Sequence, residues 1–318
     1  MKRIYTALIG LFFLSTVVAQ SGDSVRVFAY FKNNGQDGLH LAYSFDGLQW
    51  KALKNDSSFL KPVVSKDKLM RDPCIIRGAD ARPTDSSGRS LFHMVWTVSW
   101  NDKGIGYASS TDLIHWSEQQ FIPVMQNEDS ARNCWAPEIT YDAKKKQYMI
   151  YWATTISGKY KADPKVESGY NHRMYYVLTK DFKTFSKTKL LYDKGFNVID
   201  ATIVPDGKRF IMFLKDETRE PAQKNIKIAT SKKLNSGYSN ATAPITGNYW
   251  AEGPTTLKLN NTWIVYFDKY RDHKYGAIQS ADLINWTDIS DKISLPKGIR
   301  HGTIFTISRK EFELLQNL

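Results

Sequence analysis

One short pattern recurs five times along this chain and constrains the fold more than any other feature. In the four clear copies an apolar strand ends in Ser or Thr, an acidic turn follows, and an aromatic residue stands four positions beyond the acid. These copies are AYSFDGLQW, YASSTDLIHW, YVLTKDFKTF and AIQSADLINW, and IATSKKLNSGY is a degenerate fifth. They are roughly 50–70 residues apart, which suits a four-stranded sheet with variable loops better than a hairpin. The pattern therefore predicts an all-β fold, a five-bladed β-propeller.

The acidic positions of this repeat are predicted to form turns. They are Asp46, Asp112, Asp181 and Asp282, with Lys233 in the degenerate copy. A short carboxylate side chain accepts hydrogen bonds from nearby backbone N–H groups and so closes a turn. The aromatic residue that follows is expected to pack between neighbouring sheets, where a large ring buries much apolar surface. We therefore interpret these aspartates as structural and not catalytic.

The repeats predict one catalytic propeller domain over residues 20–318. Neighbouring blades share their cores, so about 300 residues can fold as a single domain. The C-terminal segment RHGTIFTIS is expected to return to the first sheet. The N- and C-terminal strands would then pair and close the ring, which removes an exposed sheet edge.

Residues 1–19 carry the features of a secretory signal peptide. Lys2 and Arg3 precede an apolar run from Ile4 to Val18, and Ala19 supplies a small residue for cleavage. The run is too short and wrongly flanked for a stable membrane span. No cysteine follows it for lipid attachment, and no later segment of the sequence reads as a membrane span. We therefore expect a periplasmic or secreted protein.

Charge and cysteine content limit the classes of partner. The formal net charge is +12, and a basic surface can attract acidic polymers. No basic cluster stands beside a nucleic-acid-binding motif, so no nucleic acid partner is predicted. Cys74 and Cys134 lie far apart in sequence, which excludes a zinc site built from cysteines. Two buried free thiols are favoured, and a disulfide is the open alternative.

Three acidic residues stand where strands begin in three different repeats. Asp72 precedes Pro and the strand CII, Asp200 precedes ATIV, and Glu252 precedes Gly-Pro. The first strand of each propeller blade lines the central axis, so we expect the three acids at the same position of their blades, around one pocket. Like charges in a partly dry pocket raise the pKa of one carboxyl while another stays ionised. Hydrolysis of a glycosidic bond needs such an acid and such a base.

The motifs around these acids, taken in order, resemble glycoside hydrolase family 43. They are MRDPCII, CWAPEI, IDATIVPDGK and AEGPTTLK, and the resemblance spans nearly all of the chain after the predicted signal peptide. It implies a five-bladed propeller enzyme that acts on arabinose- and xylose-containing polysaccharides and requires no cofactor. By matching motif, it implies that Asp72 is the general base, that Asp200 tunes and orients the proton donor, and that Glu252 is the general acid. The family inverts configuration, so the carboxyls of Asp72 and Glu252 are expected roughly 6.5–9.5 Å apart.

Some residues depart from the family pattern or extend it. Arg71 stands where the family often has Ala, and Cys74 stands where it often has a small hydroxyl residue. His301 matches a histidine that in the family often lies on the axis near a bound calcium ion or water. The resemblance thus makes His301 a candidate metal ligand and calcium a candidate structural ion, although a single histidine is more often a packed, hydrogen-bonded residue.

Further residues are candidates for binding the substrate. Trp135 and Trp250 adjoin the acidic motifs and are expected to stack on a sugar face. Arg271 is a third candidate, and either it or Arg77 is expected to supply the positive charge that keeps an active-site aspartate ionised. Glu138, in the APE motif, is expected to form hydrogen bonds inside its blade.

Together these features predict an inverting exo-glycosidase that hydrolyses terminal sugars, foremost α-L-arabinofuranose, from plant polysaccharide side chains. β-Xylosidase and exo-β-galactosidase activities on the same fold stay open. A hypothesis of another class is a non-catalytic carbohydrate-binding propeller, in which the acids hold hydroxyl groups or a cation. In each case the partner is an oligo- or polysaccharide, and we expect a monomer.

Overall fold

The computed structural model describes residues 24–79, 91–160 and 169–318. Short segments rich in β-branched and aromatic residues form strands in this part of the chain, because such side chains pack well on a pleated surface. The strands assemble into five antiparallel sheets. The predicted signal peptide lies outside the described residues.

In each sheet the strands follow one another from the central axis outward, and they are given below in that order. The first contains β19 (Ile299–Ser308), β1 (Ser24–Lys32), β2 (His40–Ser44) and β3 (Lys51–Ala52). The second contains β4 (Arg71–Arg77), β5 (Phe92–Thr97), β6 (Ile105–Ser110) and β7 (Gln120–Ile122). The third contains β8 (Trp135–Asp142), β9 (Gln147–Thr154), β10 (Arg173–Thr179) and β11 (Lys189–Tyr192). The fourth contains β12 (Val198–Asp206), β13 (Arg209–Asp216) and β14 (Asn225–Ser231), and the fifth contains β15 (Glu252–Leu259), β16 (Thr262–Lys269), β17 (Lys274–Ser280) and β18 (Thr287–Asp288).

The innermost strands of the five sheets surround the axis, and each contacts the next around the ring. The strand β19 comes from the C-terminal end of the chain, yet it pairs with β1 in antiparallel register. Ser308 lies opposite Ser24, and Gly302 lies opposite Tyr30. The five-bladed propeller and its closure by N- and C-terminal strands are both confirmed.

A short helix, α1 (Arg309–Gln316), follows the closing strand. Ser308 and Glu311 form a capping box at its start, which satisfies backbone N–H groups that lack a partner within the helix. The buried face of α1 consists of Phe312 and Leu315. Glu311 also accepts two hydrogen bonds from Arg77 in β4, at 2.8 and 2.6 Å. The helix therefore links the first and second sheets.

The recurrent aspartates form turns, as predicted. Oδ1 of Asp112 accepts hydrogen bonds from the backbone N–H of Ile114 at 2.9 Å and of His115 at 2.7 Å. The same pair of hydrogen bonds occurs at Asp46, Asp181 and Asp282. In the degenerate copy, the hydroxyl of Ser231 accepts a hydrogen bond from the N–H of Lys233 at 3.0 Å. These side chains fix the outer turns of the blades.

Aromatic residues from the same repeat fill the gaps between sheets. The ring of Trp50, on the first sheet, lies 6.0 Å from that of Tyr266 on the fifth. The ring of Trp286, on the fifth sheet, meets Phe213 of the fourth edge-on at 6.2 Å. Burying a side chain of this size contributes roughly 1.5–3 kcal/mol to folding. The two cysteines are buried and free, as favoured from the sequence.

Candidate active site

Four of the five innermost strands begin with the same local distortion. A bulge interrupts the pairing of β4, β8, β12 and β15 with the next strand outward, close to the first residue. One residue at each bulge has a left-handed backbone: Asp72 (φ 50°), Ala136 (φ 47°), Asp200 (φ 50°) and Gly253 (φ 59°). Glycine adopts this conformation freely, and Asp and Asn tolerate it better than most residues. Bulges of this kind redirect side chains beside active sites.

The register corrects one expectation about the acids. Asp72 and Asp200 occupy the left-handed position of their strands, whereas Glu252 stands one position earlier and Gly253 takes the left-handed position. Glu252 is thus the equivalent of Arg71 in the second sheet. The prediction that all three acids share one position is wrong for Glu252. A side chain at position 253 has no room, because an added Cβ would lie 2.4 Å from the ring of His301.

A cavity of about 450 Å³ lies at the end of the axis where the innermost strands begin. Its walls come from all five sheets. The structure brings five predicted site residues together in this cavity, namely Asp72, Asp200, Glu252, Trp135 and His301. Other residues that line it are Asn34, Arg71, Trp100, Lys215 and Arg300.

Asp72 is held as an ion. The hydroxyl of Thr97 donates a hydrogen bond to its Oδ2 at 2.8 Å, and Nδ1 of His301 lies 3.3 Å from its Oδ1. The same hydroxyl accepts a hydrogen bond from the N–H of Ala136 at 2.8 Å, which fixes its orientation. Burial raises the pKa of Asp72, but the hydrogen bond and charge of His301, followed by Arg71 and Thr97, lower this pKa to about 2.

His301 is the charged partner of Asp72. Burial lowers the pKa of His301, but its hydrogen bond to Asp72 and the charges of Asp72, Asp200 and Glu138 raise this pKa to about 9. The imidazole is therefore protonated at neutral pH in its ion pair with Asp72, and it would have to release this proton in order to bind a metal ion. In residues 24–79, 91–160 and 169–318 no group of three or more His, Cys, Asp or Glu is arranged to hold a metal. The expected calcium ion stays a prediction, and the described contacts of His301 favour an ion pair.

Asp200 differs from Asp72 in its protonation. Burial raises the pKa of Asp200 to about 6; the charges of His301 and Lys215 oppose this shift, and those of Glu252 and Asp72 add to it. Oδ2 of Asp200 accepts a hydrogen bond from the N–H of Gly253 at 3.1 Å. Its carboxyl group therefore lies beside the backbone that carries Glu252.

Two cations that the sequence reading missed hold Glu252. Nζ of Lys215 lies 3.0 Å from Oε2 of Glu252, and Nη2 of Arg300 lies 3.2 Å from its Oε1. Lys215 is 2% exposed, and the charges of Glu252, Glu217 and Asp200 raise its pKa despite its burial. A lysine inside the apolar strand RFIMFLKD was a signal in the sequence, because a buried lysine needs an anionic partner.

The predicted aromatic and arginine sites separate into two groups. Trp135 lines the cavity, and its indole N–H donates a hydrogen bond to the carbonyl of Trp100 at 3.0 Å. Trp250 and Arg271 do not line it; the guanidinium of Arg271 lies 3.7 Å from the ring of Trp250. Arg77 pairs with Glu311 of α1. Neither Arg77 nor Arg271 therefore supplies the charge expected beside the aspartates, a role that His301 and Lys215 fill.

Glu138 lies deeper along the axis and is 5% exposed. The hydroxyl of Tyr151 donates a hydrogen bond to its Oε2 at 3.1 Å, as expected for a residue bonded inside its blade. Burial raises the pKa of Glu138 to about 7, against the effects of Thr202, His301 and Tyr151. The cavity that contains the three acids is not lined by Glu138.

The cavity therefore contains carboxyl groups that differ in their protonation state. Asp72 is ionised over the whole range above pH about 2, whereas Asp200 holds a proton up to about pH 6. Such a set can take a proton from water at one point and supply a proton at another, which is general acid–base catalysis.

No helix within the described ranges is long and apolar enough to cross a membrane.

The chain is similar to known proteins in sequence and in fold. An α-L-arabinofuranosidase from Bifidobacterium longum subsp. longum is 28% identical over 178 residues, which are 48% of this chain and 16% of that relative. Among solved structures, an α-L-arabinofuranosidase from Lactobacillus brevis superposes with a TM-score of 0.52 at 17% identity over 70% of this chain and 72% of that chain. A thermostable family-43 glycoside hydrolase gives a TM-score of 0.50 at 15% identity over 69% of this chain and 71% of that chain. The two structures share the fold.

The family assignment rests on the longest match. Residues 24–313 match the family model of glycoside hydrolase 43-related domains, which is described as "Probable glycosyl hydrolase domain". This match covers all five sheets and every residue of the cavity. The chain therefore belongs to the glycoside hydrolases of the family 43 group, as its motifs predicted.

Proposed function

We propose that this protein is an inverting exo-glycosidase that releases terminal α-L-arabinofuranose from polysaccharide side chains. The similar proteins from Bifidobacterium longum and Lactobacillus brevis are both α-L-arabinofuranosidases, which supports the choice of sugar. The cavity is enclosed by residues from all five sheets, and such a pocket suits the end of a chain better than its middle. The apolar run after Lys2 and Arg3 supports export to the periplasm or the medium.

The observation that carries the proposal is the contrast between Asp72, whose pKa is lowered, and Asp200, whose pKa is raised and whose carboxyl group accepts a hydrogen bond from the N–H next to Glu252. Asp72 is fixed as an ion by Thr97 and His301. In the proposed reaction it accepts a proton from a water molecule, whose oxygen attacks the anomeric carbon. Glu252 gives a proton to the glycosidic oxygen as the bond from this oxygen to the anomeric carbon breaks. Water attacks the face opposite the leaving group, so configuration inverts.

Asp200 and Glu252 act as a pair in this proposal. The charge of Glu252 is one cause of the raised pKa of Asp200, so the two carboxyl groups interact electrostatically. In the proposed reaction this interaction keeps a proton available to the pair. Lys215 and Arg300 fix the carboxyl group of Glu252 at the position from which it delivers that proton. Asp200 thereby tunes and orients the donor.

The proposal is tested with nitrophenyl α-L-arabinofuranoside, β-xyloside and β-galactoside, and with a series of aryl arabinofuranosides whose leaving groups differ in acidity. We expect the wild type to prefer the arabinofuranoside. In Glu252→Gln, kcat should fall by roughly 10²–10⁴ for poor leaving groups and much less for good ones, because only poor ones need the proton. In Asp72→Asn it should fall for every leaving group, because the attacking water is no longer activated.

Glu118→Gln, an exposed residue outside the cavity, is the matched control and should keep wild-type turnover. Preference for the xyloside or galactoside would overturn the choice of sugar and leave the two carboxyl roles intact. Full turnover in Glu252→Gln would remove Glu252 from the donor role. Binding of oligosaccharides without hydrolysis of any substrate would favour a carbohydrate-binding propeller.

A further inference from the structure

Arg71 lines the cavity directly beside the proposed base, and the surrounding residues hold its guanidinium group in place. The central carbon of this group lies 4.7 Å from the ring centroid of Phe31 and 4.3 Å from that of Trp100. Its Nη1 donates a hydrogen bond to Oδ1 of Asn34 at 2.9 Å. Two rings and an amide therefore position a planar cation before any substrate arrives.

The loop that supplies Asn34 is closely fitted to Arg71. Gly35 in this loop has φ +83°, and a Cβ added there would lie 2.7 Å from the carbonyl oxygen of Met70 and 3.1 Å from Cγ of Arg71. The carbonyl of Gly35 accepts a hydrogen bond from the N–H of Met70 at 2.9 Å. The close approach of this loop keeps Asn34 within reach of the guanidinium.

Arg71 differs in its charge partners from the other cations of the cavity. Lys215, Arg300 and His301 each pair with a carboxylate of the protein. Within the described part of the chain, no carboxylate lies within 4.0 Å of a nitrogen of Arg71 in an ion pair. The cavity thus contains a fixed guanidinium whose charge has no direct anionic partner among residues 24–79, 91–160 and 169–318. A planar guanidinium matches a carboxylate, because two parallel N–H groups can bind its two oxygens.

We propose that Arg71 binds the carboxylate of a uronic acid in the substrate, so that the preferred substrates are arabinofuranosyl side chains on acidic polysaccharides. This inference rests on the proposed function and names its substrate class. The carboxylate belongs to the part of the polysaccharide that remains after the terminal sugar leaves, because Arg71 lies against Trp100, which is 41% exposed at the mouth of the cavity. The net charge of +12 attracts an acidic polymer to the same protein.

A second role for Arg71 makes a different prediction. Its charge is one of the causes that lower the pKa of Asp72. If that were its whole contribution, replacing it would slow the hydrolysis of every substrate by the same factor and would move the acidic limb of the pH profile upward. Binding of a carboxylate predicts a further loss of activity, which occurs only with substrates that carry a carboxylate.

The test compares kcat/KM for three substrates. One is an arabinofuranosylated oligosaccharide that contains a uronic acid next to the branch point, the second is the same compound with this carboxylate reduced to a primary alcohol, and the third is neutral nitrophenyl α-L-arabinofuranoside. We expect the wild type to favour the acidic oligosaccharide over its reduced form by at least about tenfold, since hydrogen bonds to charged groups are the stronger kind. In Arg71→Gln this preference should disappear: kcat/KM should fall at least about tenfold further for the acidic oligosaccharide than for the reduced compound and the neutral aryl substrate, which share any loss that comes from removing a charge beside Asp72.

Arg309→Gln is the matched control, because Arg309 also lies over aromatic rings, Phe45 and Phe312, but outside the cavity. It should keep the wild-type preference. Equal kcat/KM for the acidic and reduced compounds in the wild type, or an unchanged preference in Arg71→Gln, would overturn the inference. If the proposed function is wrong, the wild type will hydrolyse none of the three substrates, including the neutral arabinofuranoside. That result differs from equal kcat/KM values for the acidic and reduced compounds.

Discussion

The ion pair between Asp72 and His301 sets the charge of the site. His301 is 6% exposed and approaches Asp72 from the strand that closes the ring, while Thr97 binds the other carboxyl oxygen. A base with a pKa as low as about 2 is ionised at every pH in which a propeller of this kind is expected to work. His301 therefore acts as a positioning residue: it holds Asp72, the proposed base, in place and keeps its carboxyl group ionised.

His301→Gln tests this role. The substitution removes the positive charge and keeps a hydrogen-bond donor, so the pKa of Asp72 should rise and the acidic limb of kcat/KM should move to higher pH by at least about one unit. Activity near pH 4 should fall more than activity near pH 6, because the protonated fraction of Asp72 grows as pH falls. The measurement is the pH profile of arabinofuranoside hydrolysis, with His115→Gln, an exposed turn residue, as the control. An acidic limb that stays in place would show that His301 does not control Asp72.

The carboxyl residues of the site follow from their sequence motifs, whereas their cationic partners do not. Asp72, Asp200 and Glu252 stand beside Pro, Ala and Gly at strand starts, which are local signals. Lys215 and Arg300 reach Glu252 from β13 and β19, and these contacts depend on how separate sheets meet around the axis. No local pattern in the sequence shows that Glu252 is the residue that these two cations contact.

Two local features recur in the blades: a bulge at the start of four of the five innermost strands, and a side-chain turn at the outer strands. The left-handed residues at the bulges carry a cost of order 1 kcal/mol when they are not glycine, and at Asp72 and Asp200 this conformation places a carboxyl in the cavity. The outer turns work in the opposite way, because Asp112 and its equivalents stabilise the backbone and lie away from the cavity. The same residue type thus supplies the proposed catalytic groups inside the ring and stabilises turns outside it.

Asp112→Ala separates these two uses of aspartate. Loss of the hydrogen bonds to the N–H groups of Ile114 and His115 should lower the free energy of unfolding by about 1–2 kcal/mol, and kcat/KM should not change. Asp112→Asn keeps an acceptor oxygen and should lose less than half as much. Chemical denaturation followed by fluorescence gives both values. A stable alanine variant with impaired catalysis would contradict the assignment of this residue to folding.

The whole ring depends on the pairing of β19 with β1, which joins residues about 280 positions apart at the first blade. The sequence repeat was sufficient to predict five blades, because four copies carry a turn aspartate and an aromatic residue, and the degenerate fifth copy keeps the strand, its Ser and a final aromatic residue. The register of Glu252 was not predictable in this way, because the repeat does not show that position 253 lies against His301 of another sheet and has no room for a side chain. Closure brings His301 and Arg300 to the acids, so assembly of the ring and assembly of the site are one event.

Gly302→Ala tests the importance of this closure. A Cβ at position 302 would lie 1.8 Å from the carbonyl oxygen of Ala29 on β1, so the two strands must separate. We expect the free energy of unfolding to fall by about 1–3 kcal/mol, as for other overpacked sites, with a lower Tm. Gly207→Asn is the control, because nothing lies within 4 Å of an added Cβ there and Asn tolerates its φ of +62°. Equal stability of Gly302→Ala and the wild type would show that this contact does not constrain the ring.

The stereochemistry of the first product tests the central assignment, in which Asp72 activates water on one face of the sugar and Glu252 protonates the leaving oxygen on the other. The measurement is proton NMR of an α-L-arabinofuranoside digest, recorded in the first minutes before the released sugar mutarotates. We expect β-L-arabinofuranose to appear first and the α anomer to grow in later. Release of the α anomer first would contradict single displacement by water and the roles given to both carboxyl groups.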